Sequence, residues 1–335
     1  MVHISIHQSL IPQIAQANWL PLCSVAQIPR SFVKPIDLEY RKIGVFKTND
    51  GQFKAIDTTC PHRHGDLGWA QTACDGAIIC PYHGAKFSAH TGRCVDFLGS
   101  TSMLHARLGE YETRVDQDSV LWCKLTDGEV PFPELPPWTL PAGARMVHGT
   151  TDVHACAFDV VENLIDCVHV HKVHTFGNKE DPQPKNMKRV IGSRGWCAQT
   201  YDYTSGGTGR MLSAGKQRTV SVDNGFYGPF SVYSNVAFQD FQNRPKTKSI
   251  RVSVLPLSST STRMFWTIGR DFLMHDMFDH VARYVMQTTI AEDAAILRKM
   301  SGARPRTRQV LTKFDWIIAK YRQQTSKGFG STSAK

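Results

Sequence analysis

Two short stretches constrain this 335-residue chain more than any others: Cys60-Pro61-His62-Arg63-His64-Gly65 and Cys80-Pro81-Tyr82-His83-Gly84. They read C-x-H and C-x-x-H, each with Pro directly after the Cys and Gly shortly after the last ligand. Two thiolates and two imidazoles on two tight loops can hold a metal centre. The flanking sequence predicts short strands. Lys42 to Phe46 and Phe53 to Ile56 bracket Asn49-Asp50-Gly51, a strong hairpin signal. Ala77-Ile78-Ile79 is a buried-type strand that delivers Cys80. Lys86 to Ser88 and Cys94 to Phe97 flank a second hairpin at Thr91-Gly92, and Tyr111 to Val115 and Ser119 to Leu125 flank a third turn. Short strands with frequent turns argue an all-β module ending near residue 125.

The ligand set has two readings. Two cysteines on one iron and two histidines on the other is the ligation of a Rieske [2Fe–2S] cluster. Cys₂His₂ also suits a structural zinc ion. The order Cys-His then Cys-His favours the cluster, because zinc sites more often pair Cys with Cys and His with His. In that case Cys60 and Cys80 hold the inner iron, and His62 and His83 the outer one. Neither loop carries a further cysteine, so no disulfide can link the two loops.

Residues 128–146, with Pro131, Pro133, Pro136, Pro137 and Pro141, read as an extended connection between domains. The domains are then 1–127, with an N-terminal extension, and 147–326, with a flexible tail at 327–335. The second domain opens on a helical pattern at Phe158, Val161, Leu164, Ile165 and Val168. Strand-like runs follow at 188–191, 196–203, 219–222, 230–237, 250–255 and 263–268. Helical patterns at 276–300 and 310–321 close it. Strands bracketed by helices indicate an α+β domain with an antiparallel sheet.

That first helix contains Glu162-Asn163-Leu164-Ile165-Asp166-Cys167-Val168-His169-Val170-His171-Lys172-Val173-His174. Two imidazoles and a carboxylate on one side of a metal form the ligand set of non-haem Fe(II) oxygenases. Cys60-His62, Cys80-His83 and N-x-x-D-x-x-H-x-x-x-x-H together resemble the terminal oxygenase component of the Rieske non-haem iron oxygenases, over essentially the whole chain. Ala85-Lys86-Phe87 departs from that pattern, which usually has an aromatic residue two before the Phe.

The resemblance implies a Rieske domain followed by a helix-grip catalytic domain, and His169 and His174 as Fe(II) ligands. Five residues on a regular helix turn through about 140°, too far for one face. The helix is therefore expected to distort or end between them. His171 is the rival ligand, otherwise a second-sphere or surface residue; His148 and His154 read as surface histidines. The third ligand is expected from Glu292-Asp293-Ala294-Ala295-Ile296. Asp293 is preferred to Glu292, because Met286, Ile290, Ile296 and Leu297 put it on an apolar stripe. The alternative is a partly exposed helix acid beside a Lys or Arg. Asp166 is implied as a bridge to a cluster-ligating His of an adjacent subunit, hence a head-to-tail homotrimer; the alternative is a local helix carboxylate. Asn163 stays open between an iron-adjacent polar residue and a helix-interior hydrogen bonder.

The implied activity is oxygenation of a ring-containing organic substrate with O₂: hydroxylation, dihydroxylation or dealkylation, with monooxygenation favoured. No G-x-G-x-x-G fingerprint is present, so a separate reductase or ferredoxin is expected to supply electrons. The alternative is a Rieske electron-transfer protein with a non-catalytic binding domain. Net charge is +10, which fits either a solvated surface or a docking face for an acidic electron carrier. There is no nucleic-acid motif and no eighteen-residue apolar run for a membrane helix. Nine cysteines without a disulfide framework, and no recognisable signal peptide, point to a cytoplasmic protein.

Overall fold

The computed structural model describes residues 19–73, 76–126, 130–192, 196–206, 217–300 and 310–327. The N-terminal extension before Trp19, Cys74 and the tail from 328 onward lie outside the described residues. The chain forms two compact units, 18–129 and 130–335.

The first unit is all-β, as its turn-rich sequence predicts. One sheet pairs β1 (Trp19–Ser24), β11 (Val120–Lys124) and β10 (Thr113–Val115). A second pairs β2 (Lys34–Leu38), β3 (Arg41–Lys47), β4 (Phe53–Asp57) and β9 (Glu110–Tyr111). A third pairs β5 (Gln71–Thr72), β6 (Ala77–Ile79), β7 (Lys86–Ser88) and β8 (Cys94–Asp96). The Asn49-Asp50-Gly51 turn links β3 to β4, with Gly51 at φ 91°. Between the sheets lies a core of Val33, Phe46, Ile56, Leu67, Ile78 and Phe87, in which Cys60 and Cys80 are embedded. β2 escapes sequence reading because Lys34-Pro35 and Asp37 break its apolar run.

The second unit is built on a seven-stranded antiparallel sheet. Its strands are β12 (Arg145–Val153), β13 (Lys185–Ile191), β14 (Cys197–Thr204), β15 (Thr219–Phe226), β16 (Ser231–Gln239), β17 (Pro245–Pro256) and β18 (Thr262–Arg270). Their order across the sheet is β12-β18-β17-β16-β15-β14-β13. β12 carries no clear alternation in sequence; its nine pairs with β18 define it. Helix α1 (Ala157–Ile165) buries Phe158, Val160, Val161 and Ile165. Helix α3 (Met277–Met300) is held near its start by Asp279, whose carboxylate accepts from Arg145 and Arg270. Those two guanidinium groups hold the Asp279 carboxyl down to about 2. The last helix, α4 (Trp316–Lys327), starts later than its apolar pattern predicts. Asp315 explains the delay: its carboxylate accepts from the Thr312 backbone N–H (2.6 Å) and hydroxyl (2.7 Å), closing a turn ahead of the helix. Tyr321 of α4 is fully buried and donates to Pro229 O at 2.7 Å. Phe226 and Phe230 are core beneath α1 and α4.

Residues 130–144 form no strand or helix, yet they are not a free tether. Trp138 stacks on the guanidinium of Arg251 at 3.6 Å, and Pro136 O accepts from Arg251 at 2.6 Å. Leu135 packs with Ala198, Tyr227 and Tyr233. The stretch is thus laid along the seven-stranded sheet.

Candidate metal centres

The two cysteine loops of the first unit are backbone copies of one another. The Cys60 N–H donates to Gly65 O and the His64 N–H to Cys60 O, both at 2.9 Å. The Cys80 N–H donates to Ala85 O (2.8 Å) and the Gly84 N–H to Cys80 O (2.9 Å). The fourth residue after each Cys takes a left-handed conformation, His64 at φ 56° and Gly84 at φ 73°. A Cβ on Gly65 would lie 3.0 Å from Tyr82 Cβ and 3.3 Å from Cys80 Sγ, so glycine there lets the loops approach.

Cys60 and Cys80 are buried, while His62 and His83 are only partly covered, with ring centroids 4.8 Å apart. This places thiols inward and imidazoles outward, the order a [2Fe–2S] cluster requires. His62 Nδ1 is buried with no hydrogen-bond partner, as a ligand atom would be. Burial, and then the neighbouring Cys80, push the Cys60 thiol up, and a bound iron would hold it as thiolate.

The second centre begins where α1 stops. The carbonyl of Ile165, left open at the helix end, accepts from the buried side-chain amides of Gln199 (3.1 Å) and Asn224 (3.2 Å) on the sheet. Asp166 is then extended, with ψ 130°. Its Oδ1 accepts from the Val168 N–H at 2.7 Å and faces the His169 N–H at 3.4 Å. A single turn, α2 (Val170–Val173), follows, and His174 leaves it extended at ψ 146°. The helix therefore breaks before His169, and the short turn ends before His174. His169 at the entry and His174 at the exit can converge, which a continuous helix would forbid.

Asp293 of α3 meets them. Its Oδ1 lies 3.5 Å from His169 Nε2 and 3.3 Å from His174 Nε2. One ligand atom from each of the three residues lies within 4.8 Å of the other two. Asp293 is 7% exposed, and its Oδ1 is buried with no hydrogen-bond partner. An orphaned carboxylate oxygen between two imidazole nitrogens fits a divalent cation. Burial opposes charge on His169, but the Asp293 carboxylate outweighs it and raises the imidazole's affinity for a proton, where a metal would otherwise sit. On α3 the buried positions are Met286, Ile290, Asp293 and Leu297. Ile296, assigned from sequence to the same stripe, is instead 39% exposed.

His171, the rival ligand, is fully buried rather than at the surface. Its Nδ1 accepts from the Asn178 N–H at 3.2 Å and its ring meets Tyr203 at 5.0 Å, so it stands apart from the other two histidines. Burial depresses its pKa. His148 and His154 are exposed. Asn163 lines an apolar recess beside Asp293, with Val153, Leu164, Met264 and Ile290.

Glu292, set aside in the sequence reading as the less favoured acid, touches the site from behind. Its Oε2 accepts from His174 Nδ1 at 2.8 Å. That bond fixes the tautomer and leaves Nε2 free for a metal. The neighbouring Glu-Asp pair in the sequence signalled a site acid but not two distinct roles. Replacing Glu292 by Ala is expected to weaken Fe(II) binding roughly 10- to 100-fold, the usual cost of losing such a partner. Gln, which keeps an acceptor oxygen, should lose less. Titration of the apo centre with Fe(II) measures both, and equal affinities for Ala and wild type would exclude the role.

Comparison with known families agrees with this geometry. Residues 18–107 match the Rieske [2Fe-2S] domain and residues 153–327 the vanillate O-demethylase oxygenase C-terminal domain. The chain belongs to the Rieske oxygenase family, whose cofactors are the [2Fe–2S] cluster and a non-haem iron. It is 28% identical to cholesterol 7-desaturase of Hemicentrotus pulcherrimus over 58% of this chain and 42% of that protein. It is 28% identical to the chloroplastic protein TIC 55 of Arabidopsis thaliana over 58% of this chain and 38% of that one. The matched region thus spans less than half of either relative. The fold is shared with NdmA of Pseudomonas putida CBB5, solved with caffeine, at TM-score 0.77 and 18% identity over 94% of this chain and 91% of that one. It is also shared with dicamba monooxygenase bound to dicamba, at TM-score 0.73 and 18% identity over 93% and 97% of the two chains. No described helix is long and apolar enough to cross a membrane.

Proposed function

We propose that this chain is the terminal oxygenase of a multicomponent system, hydroxylating or dealkylating a ring-containing organic substrate as a monooxygenase. The observation that carries this reading is the convergence of His169, His174 and Asp293 around one orphaned carboxylate oxygen. A purely electron-carrying protein has no use for that second centre. The ring-containing substrate is supported by relatives named for cholesterol, chlorophyllide and dicamba.

Cys60, Cys80, His62 and His83 would hold the cluster, and His169, His174 and Asp293 the Fe(II). The bound iron supplies O₂ activation at the coordination positions that three protein ligands leave open. The protein's part is positioning. Glu292 aims His174, while the backbone carbonyl of Asp166 faces His169 Nδ1 at 3.2 Å and does the same for His169. Gln199 and Asn224 tie the end of α1 to the sheet, so the ligand turn is anchored at its root. Val160, Leu164, Ile290 and Leu297 keep the surroundings dry.

Electrons would come from a separate ferredoxin or flavin reductase. Asp166, whose side chain keeps 26% of its surface exposed, would carry the link to a cluster histidine of a neighbouring chain in a homotrimer. Asp166→Asn is expected to retain both metals and slow turnover at least tenfold, because its amide can still accept from the Val168 N–H but carries no charge. Full turnover in that variant would remove Asp166 from the electron path. All described cysteines are free thiols, which supports a reducing compartment.

The reading as a whole is tested by metal analysis and O₂ uptake. About three irons per chain, with substrate-dependent O₂ uptake from a surrogate reductase, is expected. Two irons and no uptake would make the chain an electron carrier, and a colourless zinc protein would overturn both readings.

A further inference from the structure

His171 lies in sequence between the two histidines of the metal centre, yet it is tied to the segment that follows them. The Asn178 N–H donates to His171 Nδ1 at 3.2 Å, and the Gly177 N–H donates to His174 O at 3.1 Å. The chain after His174 is thereby folded back on the α2 turn. Two glycines allow the close approach. A Cβ on Gly177 would lie 2.3 Å from Val170 O and 2.6 Å from His171 Cα. A Cβ on Gly206, just past β14, would lie 2.5 Å from Asn178 Cα. Any other residue at either position would push these backbones apart. The buried Asn178 side chain completes the lock. Its amide donates to Thr204 O at the end of β14 (3.1 Å), and its Oδ1 accepts from the N–H groups of Glu180 (3.1 Å) and Asp181 (3.2 Å). Gly177 and Asn178 are thus pinned to both the ligand turn and the sheet.

Phe176 is the residue that this lock places. Its half-buried ring stacks on the His174 imidazole, 4.9 Å between centroids and 16° from parallel, a favoured offset geometry for two aromatic rings. His174 is then constrained in three ways. Its backbone N–H donates to Val170 O at 3.2 Å, its Nδ1 meets Glu292 Oε2 at 2.8 Å, and Phe176 covers one face. A hydrogen bond at Nδ1 leaves the ring free to swing about that bond; a flat neighbour removes the swing. The remaining nitrogen, Nε2, is left 3.3 Å from Asp293 Oδ1. A ligand ring that already holds its binding orientation loses less freedom when a metal arrives.

We propose that Phe176 is a positioning residue of the mononuclear iron centre: held by the His171–Asn178 lock, it sets the plane of the His174 ring and so the direction of Nε2 toward the metal. This rests on the Fe(II) reading of His169, His174 and Asp293. It also gives His171 a part in the centre without making it a ligand, because the third histidine places the segment that orients the second iron ligand.

The test uses the full chain with its cluster retained and the mononuclear iron removed by chelation. Fe(II) is added back without oxygen and its binding followed by calorimetry. The reloaded centre is read by the electron paramagnetic resonance of its nitric oxide adduct. Phe176→Leu is expected to bind Fe(II) about two- to tenfold more weakly than wild type, the worth of one aromatic pair. Its adduct signal should broaden, as His174 samples more than one orientation. Phe176→Tyr, which keeps the stack, should retain the wild-type affinity and signal. A phenylalanine that served packing alone would lower the melting temperature of Phe176→Leu and move neither metal readout. That result, or equal losses in Phe176→Leu and Phe176→Tyr, overturns the proposal while leaving the iron centre in place. A wild-type chain that takes back no Fe(II) would overturn the iron centre and this role together.

Discussion

A chain carrying His169→Ala is expected to hold about two irons instead of about three, and to lose substrate-dependent O₂ uptake by more than a hundredfold. In the proposed centre His169 would supply one of three protein ligands. Removing it leaves Asp293 Oδ1, which is buried and has no hydrogen-bond partner, facing a single imidazole. Loss of an outer partner already costs roughly 10- to 100-fold in metal affinity, and loss of a direct ligand costs more. The visible spectrum of the cluster should not change, because its ligands sit in the separate unit 18–129. Metal analysis beside the spectrum decides the matter: an unchanged iron count would remove His169 from the ligand set. His171→Ala is the control. It should leave the iron count unaltered, since that ring packs on Tyr203 and takes its hydrogen bond from Asn178.

His62→Ala is expected to produce the opposite pattern. The [2Fe–2S] cluster and its colour should be lost, leaving about one iron per chain, with O₂ uptake abolished because electrons no longer enter. His62 is only partly covered and packs against Phe97, 4.6 Å between ring centroids, so its truncation leaves the buried core of Phe46, Ile78 and Phe87 in place. The unit should still form its sheets but melt at a lower temperature, since cluster binding is itself folding energy. Circular dichroism separates loss of the cluster from loss of the fold. A persistent Rieske paramagnetic signal in this variant would overturn the assignment of the first loop.

Much of this protein is readable without coordinates. Cys60, His62, Cys80 and His83 announce a cluster because thiolate and imidazole chemistry is written in residue type, and loop spacing is local. Strands β3, β4, β6 and β7 follow from alternation and hairpin signals that also act over a few residues. Asp293 could be preferred over Glu292 because helical periodicity says which side of α3 faces inward, although the same argument misplaced Ile296, which is 39% exposed. β12 was illegible, since an edge strand of mixed polarity is defined by its partner β18 rather than by its own pattern.

What only the tertiary structure decided is non-local. The turn of about 140° between His169 and His174 predicts a distorted or broken helix between them, but residues 158–174 contain no breaker that places the break at Asp166. The helix ends at Ile165 because Gln199 and Asn224, on strands more than thirty residues away, take its last carbonyl, and because Asp166 turns back on the Val168 N–H. That break separates His169 and His174 from His171. The role of Glu292 depends likewise on packing, which brings His174 opposite it. The sequence by itself determined the ligand chemistry and the order of the two centres. The fold decided which side chains meet, because convergence in space depends on contacts between residues that no local spacing encodes.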